Sequence, residues 1–438
     1  MPLVELAGNI RAFTSVFECV KELPHPLIPA GAGIAPKANR NVQHEHRDMA
    51  PPLHRLLTSL GLLWLVGAAL RMTVLAVPPL LPLIHRDLDL SETEIGTLAG
   101  LPSLLFAAAA VPGSLMIARF GGRSALIAGL LVTALASAAR GAAINVATLF
   151  AATIAMGAGI AVMQPSLPPI VRAWLPDRIG FATAVYTNGL LIGEIVAASL
   201  TLPVVLPLAG GDWRAAFALW GLPILCIAAL VALLGPRRSA VQAAQASRRR
   251  WWPDWRDARI WQLGFLFGGV NSIYFSTNAF LPEYLNHAGT PELIGSALTA
   301  LSFGQLPASL MMLGSAERLL GRPWAYGVAG LLCLAGLFGL LLTTGPWVVF
   351  FAGLIGFADA VAFVLILALP LLLSAPDDAH RTAAGMFTIS YSCAVVVPII
   401  GGLAWDASGI AWVAFVPIGV CALVIGALPF AIDFRRRG

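Results

Sequence analysis

Charged residues are scarce in this chain: of 438 residues, 11% are Asp, Glu, Lys or Arg and 58% are hydrophobic. Ordinary soluble domains carry about 25% charged residues, so most of this surface does not face water. The sequence also lacks the strictly alternating segments of about ten residues that mark a membrane β-barrel. It has instead successive apolar runs, and a helix of about 20 apolar residues can cross a bilayer with its backbone hydrogen bonds satisfied.

Other absences exclude whole classes of function. No phosphate-binding loop of the Gly-Lys-Ser/Thr type occurs, so ATP does not drive this protein directly. No paired-histidine metal motif occurs, and we expect no cofactor, no metal site and no enzymatic activity. The net charge of +5 does not indicate nucleic-acid binding, because the basic residues lie in loops between apolar runs, where membrane orientation accounts for them. The five cysteines are scattered, so neither a disulfide framework nor a metal site is indicated: Cys19, Cys226, Cys333, Cys393 and Cys421.

The apolar runs predict an all-α integral membrane protein with about twelve spans. Their boundaries are uncertain by about two to four residues. The predicted spans, numbered one to twelve, are 56–83, 93–117, 124–143, 147–170, 180–207, 214–234, 258–282, 292–314, 324–343, 346–372, 383–405 and 411–433.

Arginine distribution predicts the orientation, because Arg and Lys accumulate in cytoplasmic loops. The opposite loops hold only Arg86, Arg140 and Arg214. We therefore expect a multi-pass protein of the inner (plasma) membrane with both termini cytoplasmic. The arginine-rich loops hold Arg119, Arg123, Arg172, Arg178, Arg237, Arg238, Arg248, Arg249, Arg250, Arg256, Arg259, Arg318, Arg322 and Arg381, and the tail adds Arg435, Arg436 and Arg437.

The spans group into two halves joined by a polar, basic linker. Residues before the first span contain no spanning run and no recognisable signal peptide. We expect either that translation begins at Met49, directly before the first span, or that the extension is a disordered cytoplasmic tail. The predicted parts are an extension 1–55, a first six-helix bundle 56–234, a linker 235–257, a second bundle 258–434 and a basic tail 435–438.

An internal repeat lies beneath the spans. Leu81-Pro82 ends span one, and Leu281-Pro282 ends span seven. Gly180 and Tyr186 in span five are matched by Gly385 and Tyr391 in span eleven. The offset of about 200 residues describes two halves in the same orientation, related by an axis along the membrane normal, which is typical of major facilitator transporters.

Several motifs resemble the major facilitator superfamily and, within it, the cyanate permease and nitroimidazole transporter family. Span one of that family resembles the segment from Arg71 to Asp89, with a mid-helix arginine, Pro-Leu-Leu-Pro and an acidic loop. Further similar segments are Gln164-Pro165, Pro168 to Arg172, Trp174 to Arg178, Asp212-Trp213-Arg214 and Phe280-Leu281-Pro282. The resemblance implies a twelve-helix transporter fold over residues 56–434.

One motif departs from the superfamily pattern. The loop between spans two and three usually reads Gly-x-x-x-Asp-Arg-x-Gly-Arg-Arg, and the corresponding segment here is Ser114 to Arg123. Ala118 stands where the acidic residue is expected. We therefore expect the cytoplasmic latch that the resemblance implies to be weaker.

Three ionisable residues lie midway along spans: Arg71, Glu194 and Asp359. Such groups are costly in a membrane and usually face a cavity or a partner. Arg71 offers a planar fork of donors that suits carboxylates and similar anions, so it is a candidate substrate anchor; the alternative is a structural ion pair with Glu194. Glu194 and Asp359 are candidates for an ion pair or for carrying protons as the coupling ion.

Polar residues on other spans complete the candidate site. Asn271, Tyr274 and Asn278 share one face of span seven, and Asn271 takes the repeat position of Arg71. Gln164 and Gln305, in spans four and eight, are further candidates for the cavity. All five are predicted to bind substrate, and the alternative is hydrogen bonding between helices, which is common for such residues in membranes.

The sequence favours a secondary active transporter that moves a small anion or small polar organic solute by alternating access. Its partners would be that solute, the lipid bilayer and protons if they are coupled, with no nucleic acid. One alternative is a multidrug or xenobiotic exporter of the same fold. Arg71 is an argument against it, because such an exporter is expected to have acidic rather than basic groups in its cavity. An alternative of another class is a membrane sensor or receptor without transport.

Overall fold

Proline and glycine punctuate the apolar runs, and many of the helices begin or end beside them. The structure is a computed structural model that describes residues 53–90, 92–236, 251–375 and 378–434. The extension with the expected start at Met49, linker residues 237–250 and the basic tail lie outside the described residues. The spans, in chain order, are Leu53–Leu75 with Val77–Leu88, Glu92–Phe120, Gly122–Gly141, Val146–Trp174, Ile179–Leu200, Trp213–Leu234, Ala258–His287, Ile294–Phe303 with Gln305–Leu319, Pro323–Leu342, Pro346–Leu367 with Leu369–Leu373, Ala379–Ser408, and Ala411–Phe415 with Val416–Ala427.

Ten of these spans in the described part of the chain are long and apolar enough to cross a membrane by their own composition. The other two are spans two and seven. Span two contributes the shorter apolar stretch Leu104–Phe120. Span seven, Ala258–His287, is long enough, but polar residues from Asn271 to Asn278 lower its hydropathy. The predicted all-α, multi-pass architecture of twelve helices is confirmed.

Three spans are interrupted by one residue outside both of their helices, which the apolar runs did not predict, and span twelve passes from a 3-10 helix into an α-helix without a gap. In span one the break falls at Ala76, because Pro78 and Pro79 have no N–H for the carbonyls of Val74 and Leu75. Span ten breaks at Ala368, two residues before Pro370, and span eight breaks at Gly304. The break in span one follows Arg71 by little more than one helical turn, so the candidate anchor lies beside an irregular backbone.

The same pairs of spans pack together in each half. Span one packs most extensively against span five, and span seven against span eleven. Spans three and four form a close pair in the first half, as spans nine and ten do in the second. This correspondence is the structural counterpart of the sequence repeat and supports two related six-helix bundles. The exact domain boundaries remain a prediction.

Arg140 does not lie in a loop, so that part of the sequence prediction is wrong. It belongs to the last turn of Gly122–Gly141, and none of its surface is exposed. Its Nη2 donates to the carbonyl of Thr73 at 3.0 Å and to Ser137 Oγ at 3.3 Å, and its guanidinium lies 4.2 Å from the ring centre of Phe217. Arg140 therefore holds span one immediately before its break.

Hydrogen bonds between the two halves are numerous towards the end of the bundle that carries Arg119, Arg172, Arg318 and Arg381, called the basic end from here on. Contacts there include Arg172 with the Ser374 carbonyl at 3.3 Å and Thr388 Oγ1 with the Ala107 carbonyl at 3.0 Å. Asn188 Nδ2 donates to Ser309 Oγ at 3.1 Å, at about the same depth along its span as Thr388. The structure is therefore closed at the basic end.

Candidate functional site

A small cavity lies between the two halves, about midway along the spans. Its volume is ≈ 20 Å³, and spans one, five, seven, eight and ten contribute to its wall. The structure brings six of the eight candidate residues together around it: Arg71, Glu194, Asn271, Tyr274, Gln305 and Asp359. The remaining lining residues are Thr187, Leu190, Leu191, Ala360 and Phe363. A mixed polar and apolar wall with few charges suits one small solute held in a fixed orientation.

Arg71 is the cation of this wall. Its side chain is buried, with 7% of the residue exposed. Its Nε has no hydrogen-bond partner, and none of the hydrogen bonds or ion pairs among the described residues involves its guanidinium. Glu194, Tyr274 and Tyr391 are near enough to interact with it electrostatically. A buried arginine with unused donors at a cavity can donate hydrogen bonds to an acceptor that enters that cavity.

Glu194 is held by the opposite half rather than by Arg71. The hydroxyl of Tyr274, in span seven, donates to Glu194 Oε1, in span five, at 2.9 Å. Both residues lie further from the basic end than Thr187 and Asn271, which line the same cavity. This hydrogen bond therefore crosses between the halves on the side of the cavity away from the basic end.

Asp359 is the second acid of the wall and the more deeply buried one. Only 3% of the residue is exposed, and its Oδ1 has no hydrogen-bond partner among the described residues. No described cation forms an ion pair with it. An unpaired buried carboxylate is costly in its charged form, so this position favours a carboxyl that binds a proton.

The remaining polar candidates divide between the cavity and its surroundings. Asn271 donates to Ser390 Oγ at 2.7 Å, and Gln305 begins the second helix of span eight. Asn278 lies off the cavity, where its Nδ2 donates to the Tyr274 carbonyl within the same helix at 2.8 Å. Gln164 also lies off the cavity, where its Nε2 donates to the hydroxyl of Tyr391 at 2.8 Å.

Tyr391 is the residue near the site that sequence reasoning did not select. Its ring packs on Phe106 with centroids 5.1 Å apart and on Phe387 at 6.2 Å. Together with Gln164 it joins spans four and eleven. The sequence held a signal for it, because Tyr391 matches Tyr186 in the repeat, but the repeat alone did not give it a contact with the first half.

No group of three or more His, Cys, Asp or Glu side chains that could hold a metal ion occurs among the described residues. The polar groups that line the cavity are one guanidinium, two carboxyl groups, two amides, a phenol and the hydroxyl of Thr187. These groups can bind and orient a small polar or charged solute and can exchange a proton.

Comparison with known proteins identifies the family. The Major Facilitator Superfamily model matches residues 63–291, more than half of the chain. The chain therefore belongs to the Major Facilitator Superfamily, a family of transporters rather than enzymes.

Two curated relatives cover most of the chain. The cyanate transport protein CynX of Escherichia coli K12 is 27% identical over 84% of this chain and 95% of its own length. The 2-nitroimidazole transporter of the same organism is 27% identical over 81% of this chain and 90% of its own. Among solved structures, the transporter FucP in its outward conformation matches with a TM-score of 0.62 and 15% identity, over 85% of this chain and 98% of that one. That likeness supports the fold.

Two helix ends differ at the basic end. Glu317 and Arg318 lie in the last turn of span eight, as Ala118 and Arg119 lie in the last turn of span two. Glu317 Oε1 accepts a hydrogen bond from the backbone N–H of Phe181, in the first turn of span five, at 2.9 Å. Ala118, which is 4% exposed, has no comparable group to offer. The weaker latch expected at Ala118 stays a prediction, and the acid of the second half joins the two halves.

Loss of Glu317 should loosen the basic end. A carboxylate at a helix N-terminus contributes about 0.3–1 kcal/mol, and Glu317 is exposed, so solvent screening keeps the effect near or below 1 kcal/mol. Glu317→Ala should therefore raise the fraction of molecules open at this end by up to about five-fold. The measurement is the rate at which a cysteine at half-buried Ala107 reacts with a maleimide, with Glu292→Ala, an exposed acid at the opposite end, as the control. Equal rates in the two variants would contradict the latch.

Proposed function

We propose that this chain is a secondary active transporter that carries a small anion across the cytoplasmic membrane by alternating access, with both termini cytoplasmic. The observation that carries the proposal is Arg71, a buried guanidinium with unused donors in a cavity between the two halves. Substrate sites of such transporters lie near the bilayer midplane at the interface between repeats. Arg71 and its repeat counterpart Asn271 line one cavity between the two halves, which supports this assignment.

The size of the cavity supports a small substrate. A cavity must offer about 10–15 Å³ to the centre of a water-sized sphere in order to hold one water molecule. By that measure this cavity has a volume of ≈ 20 Å³. In this conformation it therefore has room for one or two water-sized groups, so a small solute requires less enlargement of the cavity than a large one. Guanidinium binds planar oxyanions through two parallel hydrogen bonds, which favours small planar monoanions. The anion in the name of one relative, cyanate, is also small and singly charged, although it is linear.

Coupling to protons is the second part of the proposal, with Asp359 as its carrier. Arg71 and a bound anion would neutralise each other, which leaves Glu194 and Asp359 to change charge during the cycle. Glu194 has a hydrogen-bond donor in Tyr274, whereas Asp359 Oδ1 has none among the described residues. Taking up a proton removes the charge of Asp359 and the desolvation cost that accompanies it.

A multidrug exporter of the same fold is the second candidate, and the likeness to the 2-nitroimidazole transporter favours it. Such an exporter needs a large apolar cavity. The small volume and the buried arginine are arguments against it in this chain.

The deciding experiment is an uptake assay with purified protein in proteoliposomes under imposed proton and substrate gradients. We expect uptake of at least one of cyanate, nitrate and formate above protein-free vesicles, and stimulation by an inward proton gradient. Uptake of 2-nitroimidazole alone, with none of the anions, would replace the anion proposal by the exporter.

A further inference from the structure

Arg71, Glu194 and Tyr274 come from three different spans and line the same cavity. Their charges alone would lead one to expect an ion pair between Arg71 and Glu194. Opposite charges in a low-dielectric interior attract strongly, and Arg71 and Glu194 line the same wall. Yet no ion pair joins them, and Glu194 Oε1 accepts its hydrogen bond from the neutral hydroxyl of Tyr274 at 2.9 Å. The guanidinium of Arg71 takes part in none of the hydrogen bonds among the described residues.

We propose that Tyr274 is a positioning residue that holds Glu194 away from Arg71 and so keeps the guanidinium available to the substrate. Glu194 is then an internal competitor: a carboxylate attached to the protein that can occupy Arg71 in place of the anion. This proposal rests on the proposed function, since it takes Arg71 as the anion anchor. It adds what regulates access to that anchor.

The competition also couples binding to the contact between the halves. Tyr274 belongs to span seven in the second half, and Glu194 belongs to span five in the first. With an anion on Arg71, Glu194 stays on Tyr274 and the two halves are joined on this side of the cavity. If Glu194 moves to Arg71 instead, the hydrogen bond to Tyr274 breaks, and the two halves lose this contact on that side of the cavity. Substrate and Glu194 thus alternate on one guanidinium.

The test is anion binding by purified full-length protein, measured by calorimetry with cyanate and with nitrate as the probes. Loss of a hydrogen bond to a charged group should make Tyr274→Phe bind the anion about ten-fold more weakly. Glu194→Gln removes the competing charge, so it should bind at least as tightly as the wild type. The double variant Tyr274→Phe with Glu194→Gln should bind like Glu194→Gln.

The double variant separates positioning from damage, because a misfolded Tyr274→Phe protein would not be rescued by a change at Glu194. Tyr284→Phe, on the same span but outside the cavity, is the matched control and should leave affinity unchanged. Unchanged affinity in Tyr274→Phe, or a double variant as weak as Tyr274→Phe alone, overturns the role of Tyr274. Absence of anion binding by the wild type, or equal binding by Arg71→Gln, overturns the proposed function and this inference with it.

Discussion

Arg71→Ala should abolish uptake while leaving normal amounts of folded protein in the membrane. An arginine at the bilayer centre costs about 2.5–3.5 kcal/mol on insertion scales, and no described residue offsets that cost through an ion pair with it. Its removal strands no charge, because Glu194 has its own donor in Tyr274. This is the outcome expected if Arg71 binds the substrate, as proposed.

The expected loss is large. Truncating one partner of a buried, hydrogen-bonded charge pair costs about 2–5 kcal/mol, which corresponds to about thirty-fold to a few thousand-fold in affinity. Arg71→Lys should recover little, because a single ammonium cannot reproduce the planar fork of donors. Uptake per molecule and surface abundance are to be measured on the same cells.

A matched control separates this effect from the loss of any arginine. Arg256 is exposed in the part of the linker that the structure describes, so Arg256→Ala should transport like the wild type. Substantial uptake by Arg71→Ala, or a loss of abundance equal to its loss of uptake, would contradict the anchor.

Gly67→Ala should remove most of the folded protein. A Cβ at Gly67 in span one would lie 2.0 Å from the carbonyl oxygen of Tyr186 in span five, a distance that no real Cβ tolerates. The contact between spans one and five is equally close at Gly189, where a Cβ would lie 2.1 Å from the carbonyl oxygen of Trp64. Because the obstacle is backbone, the two spans must move apart, and overpacking of this kind costs about 1–3 kcal/mol or more.

The control for this prediction lies on the same helix. A Cβ at Gly61 would meet nothing within 4 Å, so Gly61→Ala should be neutral or slightly stabilising, since alanine favours helix. The measurement is the amount of monodisperse protein and its melting temperature after extraction in detergent. Equal yields and melting temperatures for Gly67→Ala and Gly61→Ala would show that the two spans are not packed at this distance.

The sequence predicted the spans well because a bilayer imposes a single requirement, a run of apolar residues long enough to cross. It also placed Asn271 opposite Arg71, because the repeat transfers a position from one half to the other. Arg140 was misplaced for a physical reason. An arginine at the end of an apolar run resembles a loop residue, and only the packing of Phe217 and Thr73 around it shows that it is buried.

Helical periodicity could not predict which side chains form hydrogen bonds with each other. The spacing of Asn271, Tyr274 and Asn278 gives them one face of span seven, but does not reveal that Asn278 turns back to its own helix. Gln164 donates a hydrogen bond to Tyr391 because spans four and eleven lie close together at that depth. No pattern in the sequence predicts that the two spans are neighbours there. The link from Tyr274 to Glu194 depends on the same arrangement of the two halves.

The proposed role of Arg71 is to anchor the substrate and not to form a structural ion pair with Glu194. The most direct test is uptake by the double variant Arg71→Gln with Glu194→Gln, normalised to surface abundance, for the anion that the wild type transports. Removing both charges would restore a protein whose arginine served only to pair with Glu194, because no charge is then left stranded. With Arg71 as the anchor, the double variant should reach the membrane normally and take up the anion no faster than cells that lack the protein. Uptake at the wild-type rate would contradict the account.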